Sequence, residues 1–184
     1  LKYGFTLIEL MIVVVMIGIL AALGTYSVRR YIQKTKTVEA REIVGKIMAA
    51  QEDFFVETQR YLDVTGGISN GASEFYPSDA SFDGDTKIMW GADDADCTGC
   101  LNNYNTIGVS VNQPVAFRYA CSTYAAGSAP DFGPHAEPMN GNNVTATRAG
   151  YVVVAVANLG ETDPYVVAGS AMQGDLWSSD AVGN

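Results

Sequence analysis

The residues of this 184-residue chain able to do chemistry are few, so each one can be weighed. Cys97, Cys100 and Cys121 are the three cysteines, and His135 is the single histidine. Cys97-Thr98-Gly99-Cys100 is followed by Leu101, so the C-x-x-C-H pattern of covalent haem attachment fails. A structural zinc site needs four ligands, which here means all three cysteines plus His135, and a redox C-x-x-C needs a βαβ context that is not present. A bond from Cys97 or Cys100 to Cys121 is the preferred reading, with the partner left open. It closes a loop of about twenty residues, contributes roughly 3 kcal/mol in the chain-entropy model and requires an oxidising compartment. Because the count is odd, one thiol is left over, and local pairing of Cys97 with Cys100 is the alternative.

Hydrolytic chemistry would have to use His135, in Gly133-Pro134-His135-Ala136-Glu137-Pro138, with no G-x-S-x-G nearby. The acidic runs Asp83-Gly84-Asp85 and Asp93-Asp94-Ala95-Asp96 lack the twelve-residue calcium-loop spacing with its terminal glutamate, and read as solvated loop charge. Asn143-Val144-Thr145 matches a glycosylation sequon. No catalytic residue, metal or cofactor is expected. A net charge of −9 argues against nucleic acid as the main partner.

Glu9 is the exception. From Phe5 to Leu23, sixteen of nineteen residues are apolar, and Glu9 lies inside that run with Thr6 and Gly18. A helix of that length rises roughly 28 Å, about the hydrocarbon thickness of a bilayer. A carboxylate at mid-membrane costs about 2–3 kcal/mol, less near an end, so Glu9 demands a cation at its own depth. The segment contains none, and an α-amino group exposed by cleavage just before Phe5 would supply one.

Gly4-Phe5-Thr6-Leu7-Ile8-Glu9-Leu10, preceded by Lys2 and followed by an unbroken apolar stretch, resembles the prepilin motif of the type IV pilin family, with its class III signal peptide and N-methylated terminus. The resemblance implies cleavage after Gly4, methylation of Phe5 and a role for Glu9 in assembly through the Phe5 amine of a neighbouring subunit. It implies a structural subunit, held in the inner membrane as a precursor, that polymerises into a helical homo-oligomeric pilus on the cell surface. Adhesion, motility or DNA uptake would be its class of function, with a prepilin peptidase and the pilus assembly machinery as partners. A type II secretion pseudopilin or a minor pilin shares the same N-terminus. The reading from a different class is a signal-anchored periplasmic binding protein with Glu9 incidental. Leu1–Gly4 is expected to be the remnant of a longer leader, and Tyr26 stands where many family members carry proline.

The elements that must position these residues follow from periodicity. Residues 5–27 are expected to form the transmembrane or filament-core helix, in which Gly18 and Ala22, four apart, permit close helix approach. Residues 28–62 continue it as an amphipathic helix, with Val28, Tyr31, Ile32, Val38, Ile43, Ile47, Phe54 and Tyr61 in one stripe and Val44, Met48, Phe55 and Leu62 beside it. Such a helix, on the order of 80 Å long, exceeds what a domain of this size can bury. Residues 63–104, rich in Gly, Ser, Asp and Asn, are expected to be a connecting loop. Residues 105–184 are expected to be an antiparallel head, with strands at 106–111, 115–121, 151–157 and 165–168 and a turn-rich insertion at 130–143. The fold class is therefore α+β, a long helix packed through residues 43–62 on one face of a small sheet, and the resemblance implies a pilin-like fold.

Charge is unevenly distributed. Residues 29–60 hold seven of the eleven basic groups, and residues 61–184 hold three basic against fourteen acidic ones. Lys2 lies before the apolar run and Arg29, Arg30, Lys34 and Lys36 after it. The positive-inside rule places the C-terminal side in the cytoplasm, whereas the resemblance places it outside.

Overall fold

The computed structural model describes residues 4–68, 74–77, 86–91, 97–128, 146, 148–157, 165–170 and 176–179. Two units divide the chain, Leu1–Lys36 and Thr37–Asn184. Helix α1 (Leu7–Thr58) supplies the described backbone of the first unit and opens the second.

In the first unit α1 meets no core. Leu7–Thr25 is long and apolar enough to cross a membrane and none of it is buried. Thr25 Oγ1 donates to the carbonyl of Ala21 at 2.9 Å, and Thr35 Oγ1 to that of Tyr31 at 3.0 Å. Hydroxyls turned back onto the helix's own carbonyls suit an apolar surrounding.

In the second unit the stripe changes character. Ala40, Ile43, Val44 and Ile47 are buried, whereas Val38 remains exposed. The helix ends at Thr58 rather than continuing to Leu62, with Gln59 left-handed at φ 59°. The chain returns along the helix face by Phe55 stacking on Tyr61 at 4.6 Å and Tyr61 meeting Tyr151 edge-on at 4.9 Å.

Buried Gln51 secures that return. Its Nε2 donates to the Leu62 carbonyl at 2.7 Å, and its Oε1 accepts from the Leu62 N–H at 3.1 Å. A strand-like partner is thus supplied by a side chain, because the returning backbone has no ladder of its own here.

Strands β1 (Ile88–Met89) and β2 (Pro114–Val115) form a two-stranded antiparallel sheet. Glu39 of α1 ties to it at two points: Oε1 accepts from the Ala116 N–H at 3.1 Å and Oε2 from Lys87 Nζ at 2.6 Å. Strands β3 (Arg118–Tyr124), β4 (Gly150–Ala157), β5 (Tyr165–Ser170) and β6 (Leu176–Ser179) form an antiparallel sheet in chain order. The α+β class and the small antiparallel sheet are as expected.

Both faces of β4 are buried. Tyr151, Val153, Ala155 and Ala157 join the α1 side of the core, and Val152, Val154 and Val156 join Ile68, Phe75 and Ala120 in a second cluster. The run Tyr151-Val-Val-Val-Ala-Val-Ala is continuously apolar for that reason. The helix covers one face of the sheet, as expected, and Ile68 and Phe75 lie on the other.

Two expectations need correcting. Residues 106–111 are not a strand: helix α2 (Cys100–Thr106) occupies the start, and Ile107 and Val109 enter the core from a turn. The Gly108 N–H bonds the Asn105 carbonyl at 3.0 Å and the Val109 N–H bonds the Tyr104 carbonyl at 2.9 Å, with Gly108 at φ 80°. That is a Schellman closure, which uses the β-branched residues as its hydrophobic lock instead of in a ladder. Likewise 115–121 divides between β2 and β3. The described parts of 63–104, expected to be a connecting loop, include β1 and the start of α2. Tyr76 exchanges backbone hydrogen bonds with Tyr119 at 2.8 and 2.7 Å, and Trp90 packs edge-on against Tyr76 and Tyr104, each at 5.1 Å.

Candidate functional site

The residues singled out by sequence fall in three places. Gly4, Phe5 and Glu9 stand at the start of α1, Gly18 and Ala22 lie farther along it, and the cysteines belong to the second unit. Asp83, Asp85, Asp93, Asp94, Asp96, His135 and Asn143 lie outside the described residues. Among the described residues there is no group of three His, Cys, Asp or Glu side chains placed to hold a metal.

Phe5 is 79% exposed, and Glu9 is exposed one turn below it. Glu9 has a local partner. The Thr6 backbone N–H donates to Glu9 Oε2 at 2.9 Å, Thr6 Oγ1 donates to the same oxygen at 2.7 Å, and the Glu9 N–H approaches Thr6 Oγ1 at 3.4 Å. Thr6 and Glu9 therefore make a reciprocal capping box at the first turn of α1. This satisfies N–H groups that a helix start leaves without intrahelical partners. The T-x-x-E spacing of Thr6-Leu7-Ile8-Glu9 is the local signal that announces it, one that the question of a cationic partner leaves aside.

One Glu9 oxygen thus caps α1 within the chain. Gly18 and Ala22 are both exposed, and among the described residues a methyl group built on Gly18 would meet nothing within 4 Å. The smallness of Gly18 answers no packing requirement among the described residues.

The cysteines are arranged differently from the preferred expectation. Cys97 and Cys100 are bonded to each other, and Cys121 is a free, buried thiol. The turn Cys97–Cys100 closes with the Cys100 N–H on the Cys97 carbonyl at 3.1 Å and Gly99 at φ 89°, which brings the two Cα atoms to 5.5 Å. Cys121 faces α1 from β3, where its Sγ accepts from Gln51 Nε2 at 3.1 Å. Burial pushes its thiol up to about 12, which keeps the sulfur protonated and unreactive.

Residues 2–25 match the family described as prokaryotic N-terminal methylation motif. A stretch of 65 residues is 45% identical to the type IV major pilin protein PilA of Myxococcus xanthus (strain DK1622). It covers 35% of this chain and 30% of that protein, so the likeness extends past the motif but spans under a third of the relative. No solved structure matches.

Proposed function

We propose that this chain, which carries a type IV pilin-like N-terminus ahead of an α+β unit, is a structural pilin subunit. It is cleaved after Gly4, methylated on Phe5, held in the inner membrane by Leu7–Thr25 and polymerised through α1 into a filament. One observation carries the reading: the methylation motif ends at the residue where the uncovered, bilayer-length apolar span of α1 ends. Such a surface needs lipid before assembly and neighbouring helices after it.

The energetics assign separate roles. The apolar surface is buried in either surrounding, so its transfer term largely cancels and extraction needs an external motor. Selectivity falls to Glu9, whose charge pairs with the Phe5 amine of an adjacent subunit. Thr6 keeps the carboxylate hydrogen-bonded until then. Gly18 and Ala22 let neighbouring helices approach closely.

Mass analysis of the mature N-terminus tests processing: a chain beginning at N-methylated Phe5 is expected, and an unmethylated chain retaining Gly4 refutes it. Glu9→Ala tests assembly. Removing one partner of a buried pair costs about 3–5 kcal/mol, so the variant is expected to insert in membranes normally and to be depleted from sheared filaments. Normal incorporation of that variant ends the pairing role.

A further inference from the structure

The helix does not change abruptly where the span stops. Residues 10–38 contain no acidic side chain and four basic ones, Arg29, Arg30, Lys34 and Lys36, in a chain whose net charge is −9. All four lie on the uninterrupted α1, immediately past Leu7–Thr25. With about 100° per residue, they fall by helical position within an arc of roughly 160°. The opposite arc holds Val28, Tyr31, Ile32 and Thr35, and its three large apolar residues are exposed at 57%, 73% and 49%.

Depth matches the polar margin of a bilayer. Arg29 and Arg30 stand about 6–8 Å along the helix from Thr25, and the headgroup layer on each side of the hydrocarbon is about 5–8 Å thick. Lys34 and Lys36 stand about 14–17 Å along, within a Debye length or so of the phosphates, and lysine stems are long enough to shorten that distance. Tyr26 and Tyr31 flank the pair of arginines, the residue type enriched at membrane–water boundaries. An acidic protein surface would match the charge but leave the Val28–Tyr31–Ile32 face without a match. A bilayer margin satisfies both faces.

We propose that Arg29, Arg30, Lys34 and Lys36 form a binding site for anionic phospholipid headgroups in the leaflet at the C-terminal end of the span. The site would hold the subunit at fixed depth and be surrendered when it leaves the membrane. The inference rests on Leu7–Thr25 lying in a bilayer, and it holds for either orientation of the chain.

The test uses the full chain in detergent micelles doped with equal phosphatidylglycerol and phosphatidylcholine, with retained lipid read by native mass spectrometry. Juxtamembrane cations each raise affinity for anionic lipid by about fivefold, so clear preference for phosphatidylglycerol is expected. It should fall to near parity in R29Q/R30Q/K34Q/K36Q, fade at high salt and persist in the control K46Q/R60Q. Equal retention of both lipids by the unaltered chain, or undiminished preference in the quadruple variant, overturns the proposal. Carbonate-resistant membrane association of each variant separates this outcome from failure of the membrane-spanning reading, which would release the unaltered chain too. Zero-length cross-links from Lys34 or Lys36 to acidic residues of a second copy in membranes, with no lipid preference, would assign the cations to a protein contact instead.

Discussion

Glu9, Gln51 and Cys121 show how differently a polar residue can be tolerated where water is scarce. Glu9 is spared by a neighbour three residues away, within reach of any T-x-x-E reading. Gln51 is spared by Leu62 and Cys121, eleven and seventy residues away, and no local pattern announces that. Gln51→Leu leaves the Leu62 N–H and C=O without their side-chain partner, a loss of about 1–3 kcal/mol, to be read as a lower urea midpoint of the full chain in detergent. Cys121 owes its chemical silence to burial, which outweighs the opposite pull of the Gln51 hydrogen bond on its thiol. Alkylation under native, non-reducing conditions is expected to leave it unmodified, and unfolding without reductant should expose one reactive thiol, mapped to Cys121. Labelling at Cys97 or Cys100 in that experiment would contradict their bond to each other.

At the scale of elements, α1 is one helix with two kinds of surface. Its first nineteen candidate membrane residues bury nothing, whereas Ala40, Ile43, Val44 and Ile47 are nearly inaccessible. The helical period was legible throughout, but periodicity reports which residues share a face and not what covers it. Val38, in the expected stripe, is 63% exposed for that reason. Residues 106–111 read as a strand because Thr106, Ile107, Val109 and Val111 have strand-forming side chains, and only Gly108 between them discloses the turn. Gly108→Ala would place a Cβ in open space, so its effect comes from the left-handed backbone alone. A loss of about 1–2 kcal/mol is expected, again as a shift in the denaturation midpoint, with the Cys97–Cys100 bond intact.

Across the whole molecule, the core of the second unit holds its protons tightly. Burial raises Tyr104 and Tyr119 well above the ordinary tyrosine range, Tyr151 is raised by burial with Glu52 nearby, and Cys121 is raised to about 12. The unfolded chain releases these protons near pH 9 for the thiol and 10 for the phenols, while the folded chain retains them. Their stabilising effect is therefore complete below about pH 9 and is lost as pH rises through the folded values. Urea midpoints of the full chain should fall between pH 8 and 10.5, and Tyr104→Phe should make that fall shallower. An unchanged slope in Tyr104→Phe would remove that residue from the account.

What the sequence determined unaided was whatever depends on near neighbours: the bilayer-length apolar run, the carboxylate within it, the helical period, the strands of the sheet's centre and the class of the fold. What the tertiary structure alone decided was whatever depends on residues far apart in the chain. It chose local pairing of Cys97 with Cys100, set Cys121 against Gln51 and covered the second face of β4 with Ile68 and Phe75. Contacts at long separation are selected by the packing of the complete core, and a linear string carries no distance between its distant parts.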